Sequence, residues 1–137
     1  MDFKDDIVAI STPTGMGAIA LIRITGDNAL IKVEPFFKSR SGTSISDIKS
    51  HSILYGDFTY DDEIIDEVVL SYFAKGKSFT GQETVEISCH GSTYIQKTII
   101  EKLLTNNIRL AKAGEFTMRA FLNGKFCLLY TSPSPRD

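Results

Sequence analysis

Residues 84–104 read TVEISCHGSTYIQKTIIEKLL, and within them the hydrophobic period changes from two to about 3.6 across a Gly-Ser junction. Up to His90 the pattern alternates. Val85, Ile87 and Cys89 fall on one side and Thr84, Glu86 and Ser88 on the other, which predicts a strand with one apolar face. Gly91-Ser92 supplies a turn and an N-cap. Ile95, Ile99 and Leu103, joined by Ile100 and Leu104, then recur at three- and four-residue steps, so the apolar side becomes the stripe of an amphipathic helix that Asn106-Asn107 ends. A strand feeding directly into a helix that packs back on it is the signature of an α+β sandwich.

The flanking sequence extends that sandwich in both directions. Ile7–Ile10 and Ala18–Thr25 (AIALIRIT) are short apolar runs separated by the Pro/Gly-rich Ser11–Gly17, and both suit strands of a largely buried sheet. Asp27 is placed to cap a short helix with apolar positions Leu30, Ile31, Val33 and Phe37, whose extent Pro35 limits. Residues 39–46 (SRSGTSIS) form a loop by composition. Residues 51–60 and 65–73 flank Asp61-Asp62-Glu63 as an antiparallel hairpin, and Lys75–Gln82 is a loop. Ile108–Ala111 is a brief strand. A last helix runs over 115–122, stopped by Asn123-Gly124. The expected fold is therefore a small mixed or antiparallel sheet with two to three helices.

Composition narrows the function classes. The 137 residues carry 15 Lys+Arg against 17 Asp+Glu, a net charge of −2, and the basic residues are scattered. No dense basic field exists to bind nucleic acid through phosphate neutralisation alone. No apolar run approaches the roughly 18 residues of a membrane span, and Met1–Asp6 is acidic where a secretory signal is basic, so a cytoplasmic chain without membrane contact is expected. Cys89 and Cys127 are then expected as free thiols.

The familiar small motifs do not hold up. Gly15-x-Gly17-x-x-Ala20 matches a dinucleotide fingerprint in letters, but a β-rich run follows where a helix is needed to receive the pyrophosphate. Gly76-Lys77-Ser78 resembles the end of a phosphate loop, yet Ser71 stands where its first glycine belongs. Cys89-His90 invites a thiol-nucleophile reading, but neighbours on a strand point to opposite faces. His51 and His90, with no grouped ligands, do not make a zinc site.

Two charges stand where a solvated side chain is out of place. Arg23 interrupts an apolar strand, and burying a guanidinium without a partner is costly. Glu86 poses the same problem with opposite sign, and a strand carboxylate can accept two parallel hydrogen bonds from an arginine or from a planar N–H pair on a ligand. An internal Arg23–Glu86 ion pair and a ligand held by both remain open as alternatives. Lys125, just after Asn123-Gly124, reads as a solvated lysine on its own.

With these segments in place, the chain resembles the N-terminal domain of the MnmE (TrmE) tRNA-modification GTPases. The resemblance is carried by DDIVAISTPTGMGAIALIRITG at 5–26, IIDEVVLSYF at 64–73, SFTGQETVEISCHGS at 78–92 and AGEFTMRAFLNGKF at 113–126. It departs from the family pattern at Thr14, Met16, Gln82, Ser92 and Ala113. The resemblance implies an α+β domain similar to the folate-binding domain of glycine-cleavage aminomethyltransferases. That domain forms a homodimer and holds 5-formyl- or 5,10-methylene-tetrahydrofolate, with the family's folate contacts falling on Arg23, Glu86 and Lys125. It also implies a parent enzyme that works with the flavoprotein MnmG (GidA) on the wobble uridine of tRNA, installing a 5-carboxymethylaminomethyl-type group. GTP, potassium and magnesium would be used in a GTPase domain beyond this chain. A purely structural dimerisation domain and a thiol hydrolase using Cys89 and His90 are the competing readings. Residues 127–137 (CLLYTSPSPRD) have no turn chemistry or helical period and resemble the in-frame translation of a sequencing adapter. The expected domain is thus 1–126, with the parent sequence continuing past Phe126.

Overall fold

In a computed structural model, which describes residues 4–11 and 18–124, the strand at the head of the 84–104 stretch lies near the middle of a seven-stranded sheet. In chain order the elements are β1 (Asp6–Ile10), β2 (Ile19–Gly26), α1 (Ala29–Val33), β3 (Phe37–Ser39), β4 (Ser52–Tyr60), β5 (Glu63–Phe73), β6 (Glu83–His90), α2 (Thr93–Leu104), β7 (Ile108–Leu110) and α3 (Glu115–Leu122). The strand order is β3-β4-β5-β6-β2-β1-β7. All neighbours are antiparallel except β1 and β7, which run parallel because α2 carries the chain from β6 across the sheet. The α+β expectation is met.

The alternation in β6 decides which side becomes core. Val85, Ile87 and Cys89 are buried together with Ile22 and Ile24 of β2, Val68 and Leu70 of β5, and Phe58 of β4. The α2 stripe, Ile99 and Leu103, closes this core from above, and Ala29 and Val33 of α1 complete it. Ser92 caps α2 as its sequence suggests, accepting from the Ile95 amide at 3.3 Å. On the opposite side a smaller cluster forms where Phe116 of α3 packs on Ile7 and Ala9 of β1. Among the described residues, one face of the sheet is therefore covered by α1 and α2, and the other by α3 at its β1 end.

Local chemistry explains the turns. Asp61 and Asp62, both at positive φ (50° and 64°), make the two-residue connection between β4 and β5, the geometry that matches strand twist. The pairing register slips between Phe58 and Thr59, leaving Ile65 as the extra residue of a bulge.

The helix expected after Asp27 is shorter than its apolar spacing implies. Asn28, not Asp27, occupies the N-cap position and offers no side-chain cap. The α-helix ends at Val33, a single 3-10 turn takes in Pro35, and Phe37 begins β3 instead of extending the helix. Proline lacks the amide that would continue the ladder, and Phe36 instead stacks on Phe58 at 5.5 Å. The Ser11–Gly17 turn lies mostly, and Lys125 and the 127–137 tail lie wholly, outside the described residues.

Candidate functional site

The partly open face of the sheet is the one away from α2. Strand alternation places Leu21, Arg23 and Thr25 of β2 on it beside Ser88, Glu86 and Thr84 of β6. Arg23 and Glu86 are direct Cα partners, and the Arg23 Nε–H donates to Glu86 Oε2 at 2.8 Å. Both side chains retain slightly under a fifth of their exposure, so the pair is desolvated on one side and open on the other. Ala9 is the partner of Arg23 on the β1 side, and Ser71 is the partner of Glu86 on the β5 side. The two charges that looked out of place in the sequence thus meet each other. Lys125, the third candidate, is outside the described residues.

Above β1, α3 closes one flank of this pair. Phe116 is fully buried, and its ring centroid lies 6.0 Å from Arg23 Cζ, within reach of a cation–π contact. At the Thr25 end, four hydroxyls cluster. Thr25 Oγ1 lies 2.7 Å from Thr80 Oγ1 and 2.8 Å from Thr84 Oγ1, and Ser78 Oγ lies 3.3 Å from Thr80 Oγ1. These bonds staple the 74–82 loop to β2, and Asn123 Nδ2 donates to Thr80 O at 3.1 Å, tying the end of α3 to the same loop. At the other end of the face, a cleft of about 280 Å³ opens among Ile19, Tyr55, Glu67, Ser88 and His90.

What holds α3 in place was not evident from sequence. Arg119 is fully buried. Its Nη1 donates to Asp5 O (2.7 Å) and Gln82 Oε1 (3.0 Å), and its Nη2 to Asp5 Oδ1 (2.5 Å) and Glu115 Oε2 (3.1 Å). Arg109 grips Glu115 with both terminal nitrogens, at 3.0 and 2.7 Å, and Asp5 through Nε. The one available sequence signal was the four-residue spacing of Glu115 and Arg119, which ordinarily marks a solvated helix pair.

Burial acts to raise the pKa of Glu115, but hydrogen bonds from Arg109 and the Lys112 amide, with the nearby guanidinium charges, outweigh it and bring it down to about 2. Asp5 is lowered as well, burial again being overcome by its bonds to Arg109 and Arg119. A carboxyl whose folded pKa is depressed stabilises fully above its unfolded value and loses that contribution as pH falls through the folded one. Glu115 alone accounts for stability on the order of 3 kcal/mol. Thermal unfolding followed by circular dichroism should therefore show the melting temperature dropping steeply between about pH 4.5 and 2. Glu115→Gln, less stable at neutral pH, should show a flatter acid limb.

The remaining candidates resolve simply. Burial, reinforced by the Asp66 charge, pushes the Cys89 thiol up to about 11, so it is not a nucleophile near neutral pH, and the thiol-hydrolase reading is set aside. His90 points the other way and is exposed, its Nδ1 2.7 Å from Asp66 Oδ1. Glu83 receives the Leu30 amide (2.8 Å) at the start of α1 and the Tyr72 hydroxyl (3.0 Å). Burial, helped by that carboxylate, pushes Tyr72 up to about 12. Among the described residues no group of three or more His, Cys, Asp or Glu could hold a metal ion, and no helix is long and apolar enough to cross a membrane.

With this geometry in hand, comparison with known proteins is specific. Residues 6–125 match the family model described as GTP-binding protein TrmE N-terminus. Proteins named tRNA modification GTPase MnmE are similar to the chain throughout. That of Flavobacterium psychrophilum is 52% identical over 128 residues, covering 93% of this chain and 28% of that protein. Those of Christiangramia forsetii (49%; 93% and 27%) and Clostridioides difficile (45%; 93% and 28%) are comparable. The chain spans little more than a quarter of the length of these curated relatives. By the extent of the match and the level of identity, the chain belongs to the TrmE N-terminus family of the MnmE tRNA modification GTPases.

Proposed function

We propose that residues 1–126 are a tetrahydrofolate-binding and dimerisation domain, and that Arg23 and Glu86, with Lys125, hold a one-carbon folate such as the 5-formyl or 5,10-methylene form. The observation that carries this reading is the half-desolvated Arg23–Glu86 pair set in the partly open face of the sheet. Glu86 accepts from Arg23 at Oε2, and among the described residues Oε1 receives no donor. A carboxylate anchored at one oxygen suits the amino-pyrimidine edge of a pterin, and the guanidinium beside it suits the carbonyl or anionic groups of the same ligand. On the same face Ile19, Ile53 and Tyr55 are exposed, which supports burial of that face against a second copy. The similarity to the folate domain of glycine-cleavage aminomethyltransferases belongs to the same proposal.

For the whole protein, the names of its relatives support a tRNA modification GTPase. On the family resemblance alone, the proposal extends this to a cytoplasmic enzyme that modifies the wobble uridine with the flavoprotein MnmG (GidA). GTP, potassium and magnesium act in a domain outside this chain.

Titration calorimetry of the chain with 5-formyltetrahydrofolate tests the folate claim. Binding is expected to weaken at least about 30-fold in Glu86→Ala, since charge-assisted hydrogen bonds contribute roughly 1.5–3 kcal/mol each, and to be unchanged in the surface control Lys49→Ala. No heat at millimolar ligand, with the chain folded, overturns it.

One observation favours the rival reading, a structural dimerisation domain: Arg23 and Glu86 already pair with each other at 2.8 Å. In that case Glu86→Ala changes only stability. The change should be about 1 kcal/mol and not the roughly 3 kcal/mol of a fully buried pair, because the two side chains keep part of their solvent.

A further inference from the structure

We propose that Phe116 is a positioning residue for the Arg23–Glu86 pair, fixing the guanidinium so that its Nε–H, and not a terminal nitrogen, meets the carboxylate. The proposal concerns how the pair is held. Its ligand-binding consequence rests on the folate reading above.

An arginine that emerges from a strand beside its carboxylate partner has several torsions to spend and many ways to touch it, and a partly exposed ion pair is weak because those alternatives compete. Three described neighbours narrow them. On the β1 side the neighbour of Arg23 is Ala9, whose methyl group leaves the guanidinium room to lie along the sheet. Over it stands the ring of Phe116, fully buried, with its centroid 6.0 Å from Arg23 Cζ. Glu86 accepts from its Nε–H at 2.8 Å.

The ring's own placement is over-determined. Phe116 lies between Glu115 and Arg119 in sequence, and both neighbours are fastened, Glu115 by Arg109 and the Lys112 amide and Arg119 by Asp5 and Gln82. Two ionic anchors on one short helix fix its rotation, and with it the direction in which the inward-facing Phe116 points. A packed wall behind a charged pair is how a binding site is preorganised.

The test separates positioning from packing. In the unliganded chain, exchange of the Arg23 Nε–H with water is measured by NMR, the resonance being identified by its disappearance in Arg23→Lys. Phe116→Leu keeps an apolar filler but loses the flat ring. Ile7→Val trims the same small cluster without touching the guanidinium. Exchange is expected to accelerate at least about tenfold in Phe116→Leu, as an exposed guanidinium samples its other rotamers, and to change less than about twofold in Ile7→Val. Equal exchange in Phe116→Leu and the parent chain overturns the proposal, and so does equal acceleration in both variants.

Should Phe116→Leu not fold, Phe116→Met, unbranched and of similar reach, carries the same comparison. Calorimetry with 5-formyltetrahydrofolate adds a second arm, in which Phe116→Leu binds at least about tenfold more weakly and Ile7→Val binds as the parent does. If the parent chain binds no folate while the exchange contrast holds, the folate reading fails and the positioning role stands. Unchanged folate affinity in Phe116→Leu overturns the role at the site.

Discussion

Arg119→Ala is expected to lower the unfolding free energy by about 3–5 kcal/mol, the range for removing one member of a buried ion pair. The side chain is the largest fully buried one among the described residues, and four hydrogen bonds leave it for three different segments of the chain. Two effects compete to set the cost. Lost volume is one. The other is the fate of the acceptors: Glu115 remains about 5% exposed with its charge no longer matched by Arg119, and the Asp5 carbonyl and Gln82 lose their donor. The second effect should dominate: Glu115 keeps Arg109, but the Asp5 carbonyl and Gln82 Oε1 lose the Arg119 donor, and each buried group left without its bond costs about 1–3 kcal/mol, more than a cavity that neighbouring side chains can partly fill. Arg119→Met, which restores most of the volume, should therefore recover only about 1 kcal/mol of the loss. Arg109, 40% exposed, shares the same carboxylates but keeps access to water, so Arg109→Ala should cost nearer 1 kcal/mol. Urea denaturation with a common slope measures all three. An Arg119→Ala loss below about 1 kcal/mol would show that the network is ornamental to stability.

The sequence made some of this plain and hid the rest for physical reasons. β6 and α2 were legible because each buries one face, which writes a period into the residues, β1 and β2 because they are short apolar runs bounded by turn residues, and β4 and β5 because they flank a polar turn. β3 is three residues long, too short for any period. It pairs with β4 because Gly56 lets Lys38 O come where a Cβ would stand only 2.2 Å away. Arg23 and Glu86 were legible as charges in apolar strands, yet nothing local says that residues 63 apart share a register position. Arg119 was hidden more deeply. A helical arginine four residues after a glutamate looks like a solvated pair, and its burial comes from Asp5, 114 residues away. The contacts that tie α3 to Asp5, Gln82 and Thr80 are long-range, whereas the signals read from sequence were local.

Gly26→Ala should cost as much as the loss of Arg119, about 3–5 kcal/mol, and for a connected reason. Gly26 has φ +157°, a conformation that side chains other than glycine's rarely adopt. A Cβ there would stand 2.1 Å from Asp6 Oδ1, 2.6 Å from Asp6 Cα and 2.8 Å from Asp5 O. A carboxylate oxygen can rotate away, but a Cα and a carbonyl cannot, so the start of β1 must move. That displacement reaches both acidic residues. Asp6, 1% exposed, holds the Asn28 amide (2.9 Å) and Lys32 (2.6 Å), while Asp5 O receives Arg119. Gly76→Ala provides the control, since Gly76 has φ +83° with nothing within 4 Å of an added Cβ, and it should lose only about 1 kcal/mol of backbone strain. If Gly26→Ala acts by pushing Asp5 off Arg119, the double variant Gly26→Ala/Arg119→Ala should be destabilised by at least about 1 kcal/mol less than the sum of the two single losses. Full additivity would place the cost of Gly26→Ala in Asp6 and the α1 end alone, leaving the Arg119 clasp untouched by the approach of β1.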